Sequence, residues 1–489
     1  MSYSRAIALL NNFDKMKFLI LISSILLCFS VTTLKADAVG NSDPLETDRS
    51  DLGCDWWDSA NNTDELRQEA KDRCILALFA LGEEKWQKTK TYLDRAIQID
   101  SNYPESYLLR SVVYLKLQQP NLAIADLNRA IEIAPNYVEP YQIRAIYYMS
   151  QKQWQKALAD FNRIIEIEPN DANSYIARSA YYNVRQKHDK MLADFERAIE
   201  VDPDNTSTYL QRGNYYRYQQ QWNKALADYT KAIEIDDSKP AVYLNRSVVY
   251  GNLQQWNKAL ADVNRAIELN PNLISAYLNR SSIYIRTKQW DKALADANRA
   301  IKLNPDSAKA YVNRSSVYIE TERWDKATVD LQKALQLDPE LADAYKLRGY
   351  LDHLKNDYSA AISNYQRAIS FVRNNSKINI NLAPLFNNIG LIKYEMDATD
   401  EAIQNFKAAI KHDSKLTESK FALATILYAE GKTDRALELA KQSLMTNKKY
   451  ANIQYLKNNL WGEKIIDKAE KLLSEPALNK FTSTLQSIS

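Results

Sequence analysis

The feature that most constrains this chain is a period of 34 residues that keeps its register over most of the 489. Tyr107, Tyr141, Tyr175, Tyr209, Tyr243, Tyr277, Tyr311 and Tyr345 share one phase, and Arg110 through Arg348 follow each tyrosine by three residues. Trp86, Trp154, Trp222, Trp256, Trp290 and Trp324 share another, with His188 and Tyr358 filling two gaps. Alanines (Ala259, Ala293), aspartates (Asp262, Asp296), further alanines (Ala266, Ala300) and a closing proline (Pro271, Pro305) complete the unit. A unit this short cannot bury its apolar side alone, so stability must come from stacking on its neighbours.

Within a unit the spacing is helical. In 274–307, Tyr277, Arg280, Ser281 and Tyr284 fall on one face of a first helix, and Ala293, Leu294, Ala297, Ala300 and Ile301 on one face of a second. Lys288 to Asp291 forms the turn, with Asp291 as a helix-start residue, and Asn304-Pro305 stops the second helix. Ser281, Ala293 and Ala300 are small, as two closely packed helices require. Few glycines, nine in all, and abundant Ala, Leu, Ile, Lys and Gln agree with an all-helical chain.

This pattern of aromatic, small residue, tyrosine, alanines, aromatic and proline resembles the tetratricopeptide repeat. The resemblance covers 70–450, with clear units from 104, 138, 172, 206, 240, 274, 308 and 342. A degenerate unit at 70–103 precedes them, and two looser ones at 383–416 and 417–450 follow an insertion near 376–382. It implies an all-α, right-handed superhelical solenoid of about eleven two-helix units, with residues 451–489 as a helical C-terminal cap. Arginine where the family has leucine, and Met191 where it has alanine, are departures. The texture, with Asn459-Leu460-Trp461-Gly462, resembles cyanobacterial repeat proteins.

The tyrosine and tryptophan columns read as core, and the arginine and aspartate columns as a structural ladder, with an anion-binding track as the alternative. Specificity is expected where units differ. Asn245, Asn279 and Asn313 precede the arginine in three successive units and in no other. By resemblance, first helices line a concave groove, where an amide can donate to and accept from a peptide backbone. Leu244, Leu278, Val312, Ser282, Ser316, Ile285 and Ile319 are the accompanying groove residues. A largely apolar groove with an amide rail suits an extended or helical peptide; passive duplication of Asn-Arg-Ser is the competing reading. The same triplets match the Asn-x-Ser glycosylation pattern, which a packed first helix would obstruct. The family's clamp for C-terminal carboxylates is not supported, because Tyr350 stands where it needs Asn.

Catalysis finds no support. Glycines are at least about a dozen residues apart, so no phosphate-cradling loop exists. His188, His353 and His412 occupy three different phases, without a partner at metal-ligand spacing. The 39 residues after 450 are too few for a catalytic domain. No cofactor, metal or small-molecule substrate is expected. A formal charge of +3, from 64 basic and 61 acidic residues, argues against a nucleic-acid binder. The expected partner is an unidentified protein or peptide.

The N-terminus reads as an export signal over 1–38. Lys15 and Lys17 precede an apolar run from Phe18 to Val31, followed by Ala36-Asp37-Ala38. Met16 would begin a more conventional signal, and an uncleaved anchor over 16–34 is the alternative, tethering an envelope component to a membrane. Residues 39–69 form an acidic linker and cap. Cys54 and Cys74 would remain after cleavage, and their even number in an exported chain suggests a disulfide, with two unrelated thiols as the alternative. The expected location is periplasmic or extracellular.

Overall fold

The computed structural model describes residues 68–74, 76–77, 85–374 and 380–487. Among these residues every regular element is helical. They divide into two compact units, one ending at Asp236 and the other beginning at Asp237.

The first unit holds helical residues at 68–74 and 76–77 and then α1 (Trp86–Ile99), α2 (Pro104–Lys116), α3 (Pro120–Ile133), α4 (Val138–Ser150), α5 (Trp154–Ile167), α6 (Ala172–Val184), α7 (His188–Val201), α8 (Thr206–Tyr218) and α9 (Trp222–Ile235). The second holds α10 (Pro240–Asn252), α11 (Trp256–Leu269), α12 (Ile274–Arg286), α13 (Trp290–Leu303), α14 (Ala308–Glu320), α15 (Trp324–Leu337), α16 (Ala342–Leu354) and α17 (Tyr358–Asn374). It continues with α18 (Ala383–Glu395), α19 (Thr399–His412), α20 (Thr417–Ala429), α21 (Thr433–Thr446), a 3-10 turn (Lys448–Ala451), α22 (Ile453–Lys457), α23 (Glu463–Ser474) and α24 (Pro476–Ser487). From α2 to α21 the helices pair as successive hairpins, as the periodicity predicts.

Each hairpin is built by the same local chemistry. The first helix closes on a residue with left-handed backbone, Gln254 at φ 58, Lys288 at 57 and Glu322 at 57 among them, and the second begins at the aromatic column. Among the described residues only the last such turn uses glycine, Gly431 at φ 78. Helix α13 starts at Trp290 with Gln289 as its N-cap, so Asp291 lies inside the first turn rather than capping it. Asn304 is the C-cap before Pro305, as expected.

Small residues set the approach of paired helices. Ser281, Ala293 and Ala300 are all 0% exposed, and Ser281 Oγ donates to Ala293 O at 2.8 Å. In three hairpins with a large aromatic opposite, the small residue is glycine. A Cβ added to Gly213, Gly349 or Gly390 would lie 2.8 Å from Tyr229, Tyr365 or Phe406 respectively. The tyrosine column is core: Tyr141, Tyr243 and Tyr277 keep 7–8% exposure, and Tyr277 Oη donates to Pro271 O in the preceding turn. The tryptophans are half-buried at the hairpin turns, Trp154 edge-on to Tyr181 at 6.4 Å.

In the second unit, neighbouring first helices (α10, α12, α14, α16) touch one another directly, whereas neighbouring second helices scarcely do. First helices are therefore the more closely spaced row, and their outer surface forms the inner side of the stack.

Candidate functional site

The arginine and aspartate columns form the ladder expected of them. Arg110 Nε and Nη2 both donate to Asp126, each at 2.8 Å, and Nη1 donates to Asp94 on α1 at 2.9 Å. The same two-pronged pair recurs six more times, from Arg144–Asp160 to Arg314–Asp330, at 2.7–3.1 Å. Arg144, Arg178, Arg280 and Arg314 also reach back to Asn128, Asn162, Asn264 and Asn298 on the preceding second helix, at 2.6–2.9 Å. One guanidinium thus ties three helices, and its fork matches the carboxylate plane. Burial pushes the Asp194 carboxyl up in spite of Arg178 beside it. Removing both charges from water offsets part of what this pairing gains.

The ladder stops at α16. Asn364 replaces the aspartate and donates to Asp352 at 2.7 Å, leaving Arg348 exposed and without a side-chain bond among the described residues.

The proposed groove residues lie on the first helices as expected, but unequally. Leu244, Leu278, Val312, Ser316, Ile285, Asn245, Asn279 and Asn313 are half-buried, and Ser282 is exposed. Ile319 is different: at 5% exposure it packs into the core with Ala327, Leu331 and Leu351. Asn313 Nδ2 donates to Leu278 O at 3.3 Å and Ser282 Oγ at 3.1 Å, tying α14 to α12. Asn279 makes no such bond among the described residues, and Val248 stands 31 residues before it where Ser282 stands before Asn313. The three amides are therefore not one uniform rail.

The C-terminal segment, expected to cap the end, also covers the first-helix side. Helix α23 packs on α18 and α20, both first helices. Glu395, the last residue of α18, accepts from Lys464 N at 3.2 Å and Ile465 N at 3.1 Å, satisfying the N-terminus of α23. Lys464 pairs with Asp397 at 2.6 Å. Trp461 donates to Glu418 at 3.1 Å and packs on Phe421, while Ile465, Ile466, Ala469 and Leu472 are buried. Burial pushes the Glu418 carboxyl up against these bonds. A sequence signal for this existed. Helix α20 buries Phe421 through Ile426 without a break, and a helix apolar all round is covered on more than one side.

A cleft of about 410 Å³ lies between α18 and α23, lined by Tyr394, Asp397, Thr399, Glu463, Lys464, Asp467 and Lys468. Lys464 pairs with Asp397 and Lys468 with Asp467, which leaves Glu463 as the one lining charge outside these two pairs. No group of metal-ligating side chains occurs among the described residues. His353, at 5% exposure, is pushed down to about 4 by burial and packs edge-on to Tyr358. Cys74 is fully buried with Sγ 3.2 Å from Ser106 Oγ, and burial pushes its thiol up to about 12. Cys54, its expected partner, lies outside the described residues, as do the export segment and most of the acidic linker. No described helix is long and apolar enough to cross a membrane.

A stack of two-helix hairpins held by a repeated side-chain ladder defines a helical-repeat protein. Tetratricopeptide-repeat models match residues 104–137, 213–254, 244–308, 281–352 and 394–460, so the chain carries tetratricopeptide repeats. Solved structures that are similar include YrrB, a protein of this repeat with an unusual peptide-binding site, at 26% identity over 38% of this chain and 95% of that one, TM-score 0.32. A tetratricopeptide repeat protein from Parabacteroides merdae is 18% identical over 56% of this chain and 98% of its own, TM-score 0.44. Yeast Tom70 is 15% identical over 85% and 99%, TM-score 0.43. A comparison with curated protein sequences gives no match.

Proposed function

We propose that this chain is a non-catalytic scaffold that binds a protein or peptide partner on the first-helix face of its second unit. The observation that carries the reading is the contrast between the two side-chain sets on those helices. Arginine and aspartate turn into the stack and satisfy each other, while Leu244, Leu278, Val312, Ile285 and Asn279 stay half-exposed on the face between them. A concave apolar surface with a few amides suits a peptide whose backbone must be satisfied. Export through residues 1–38, into the periplasm or beyond, belongs to the same proposal and rests on the sequence alone.

A pull-down with the wild type, an Asn245/Asn279/Asn313 triple-alanine variant and Leu278→Asp tests it, with helicity checked by circular dichroism. Leu278→Asp is expected to lose the partner and the triple variant to recover less. Equal recovery in all three removes the groove from consideration.

A further inference from the structure

Two first helices of the second unit end on glutamate, and each is followed two residues later by an acid in the left-handed turn. These are Glu395 with Asp397 (φ 63) after α18, and Glu320 with Glu322 (φ 57) after α14. The corresponding residues elsewhere in this unit are Asn252 and Gln254, Arg286 and Lys288, Leu354 and Asn356, Ala429 and Gly431. The first acidic pair is occupied by the chain itself: Glu395 caps the N-terminus of α23, and Asp397 holds Lys464 in its first turn. From there α23 crosses onto the next first helix, α20, and buries Ile465, Ile466, Ala469 and Leu472.

The second pair is empty. Glu320 and Glu322 are both exposed, and neither side chain bonds to another among the described residues. The next first helix, α16, offers half-buried Tyr350 and Leu354. Helix α16 touches α14 directly, so these two side chains lie on the first helix that follows the acidic pair.

We propose that Glu320 and Glu322 seat the N-terminus of an amphipathic helix from another protein, whose apolar face lies on Tyr350 and Leu354. The proposal rests on the first-helix face being the binding surface and specifies what it takes. A helix N-terminus exposes amide donors and a positive dipole end, which a carboxylate satisfies together. An extended strand has no such end, so the acidic pair favours a helix over a strand. The partner helix carries a lysine in its first turn, as Lys464 does, and apolar residues at the spacing of Ile465, Ala469 and Leu472.

The probe is a labelled synthetic peptide of residues 461–487, titrated by fluorescence anisotropy into the full chain. Saturable binding is expected, weakened about tenfold in Glu320→Gln/Glu322→Gln and similarly by Lys464→Glu in the peptide. Combining Glu322→Lys, which leaves Glu320 to accept from the helix N-terminus, with the Lys464→Glu peptide is expected to restore it. Absence of saturable binding, or equal binding by the wild type and the Gln variant, overturns the proposal. Self-association of the full chain that is abolished by the Gln variant makes a second copy the occupant and also overturns it. If Leu278→Asp loses the pull-down partner while the Gln variant binds peptide and partner normally, the groove stands and this inference falls. If neither variant changes partner recovery, both fall.

Discussion

At the residue scale, the ladder shows why a charge can be repeated seven times in a stack without being a binding site. Arg246 and Asp262 meet at 2.7 Å with side chains 16% and 8% exposed, and the fork leaves neither partner free for a ligand. Asp262→Asn keeps the shape but leaves Arg246 without its counter-charge. The expected cost is about 2–3 kcal/mol, below the roughly 3–5 of a fully buried pair because the arginine keeps some water. Urea unfolding checks it; an unchanged midpoint with lost partner binding would return the column to an anion track. The pairing was legible in the sequence because both columns recur in register. The use of Asn313 was not, because its acceptor Ser282 belongs to another unit and varies independently of it.

At the element scale, complementarity between a small position on the first helix and a variable one on the second decides how each hairpin closes. Gly349 faces Tyr365, Ser281 lies against the chain at Ala293, and Ala145 accompanies Phe161 in the same cluster. Gly349→Ala would press a methyl to 2.8 Å of the Tyr365 ring, which is itself fixed by a bond from Asn388 at 3.1 Å. Overpacking of this kind costs about 1–3 kcal/mol. The expected outcome is a lower thermal midpoint, and an unchanged one would show that the ring can move aside. Hairpin existence, helix type and the proline stops could be read from period and composition. The left-handed turn residues could not, since Gln254, Lys288 and Glu322 carry no glycine-like signature. Their backbone is set by the two helices they join.

At the scale of the whole molecule, the two units differ in what they show beyond repetition, and the second is distinguished by its C-terminal segment. Stability in a stack is a sum of unit and neighbour terms, so removing residues 459–489 should be felt locally. The prediction is faster amide exchange in 383–446, where α23 covers α18 and α20, with 240–337 unchanged. Exchange unaltered throughout would mean that α23 adds nothing to the units beneath it.

The sequence by itself determined the all-helical class, the 34-residue unit, the buried tyrosine column and the Arg–Asp pairing, because each follows from local periodicity repeated in register. It also marked the first helices as the place where units diverge. Only the tertiary structure decided that Ile319 is core, that Asn313 braces two helices, and that α23 folds onto the first-helix side instead of only closing the end. The last two outcomes depend on contacts between residues 31 to 70 positions apart in single, unrepeated pairs. A period reports what every unit shares, whereas the acidic pairs at 320/322 and 395/397 gain meaning only once one of them is seen holding a helix.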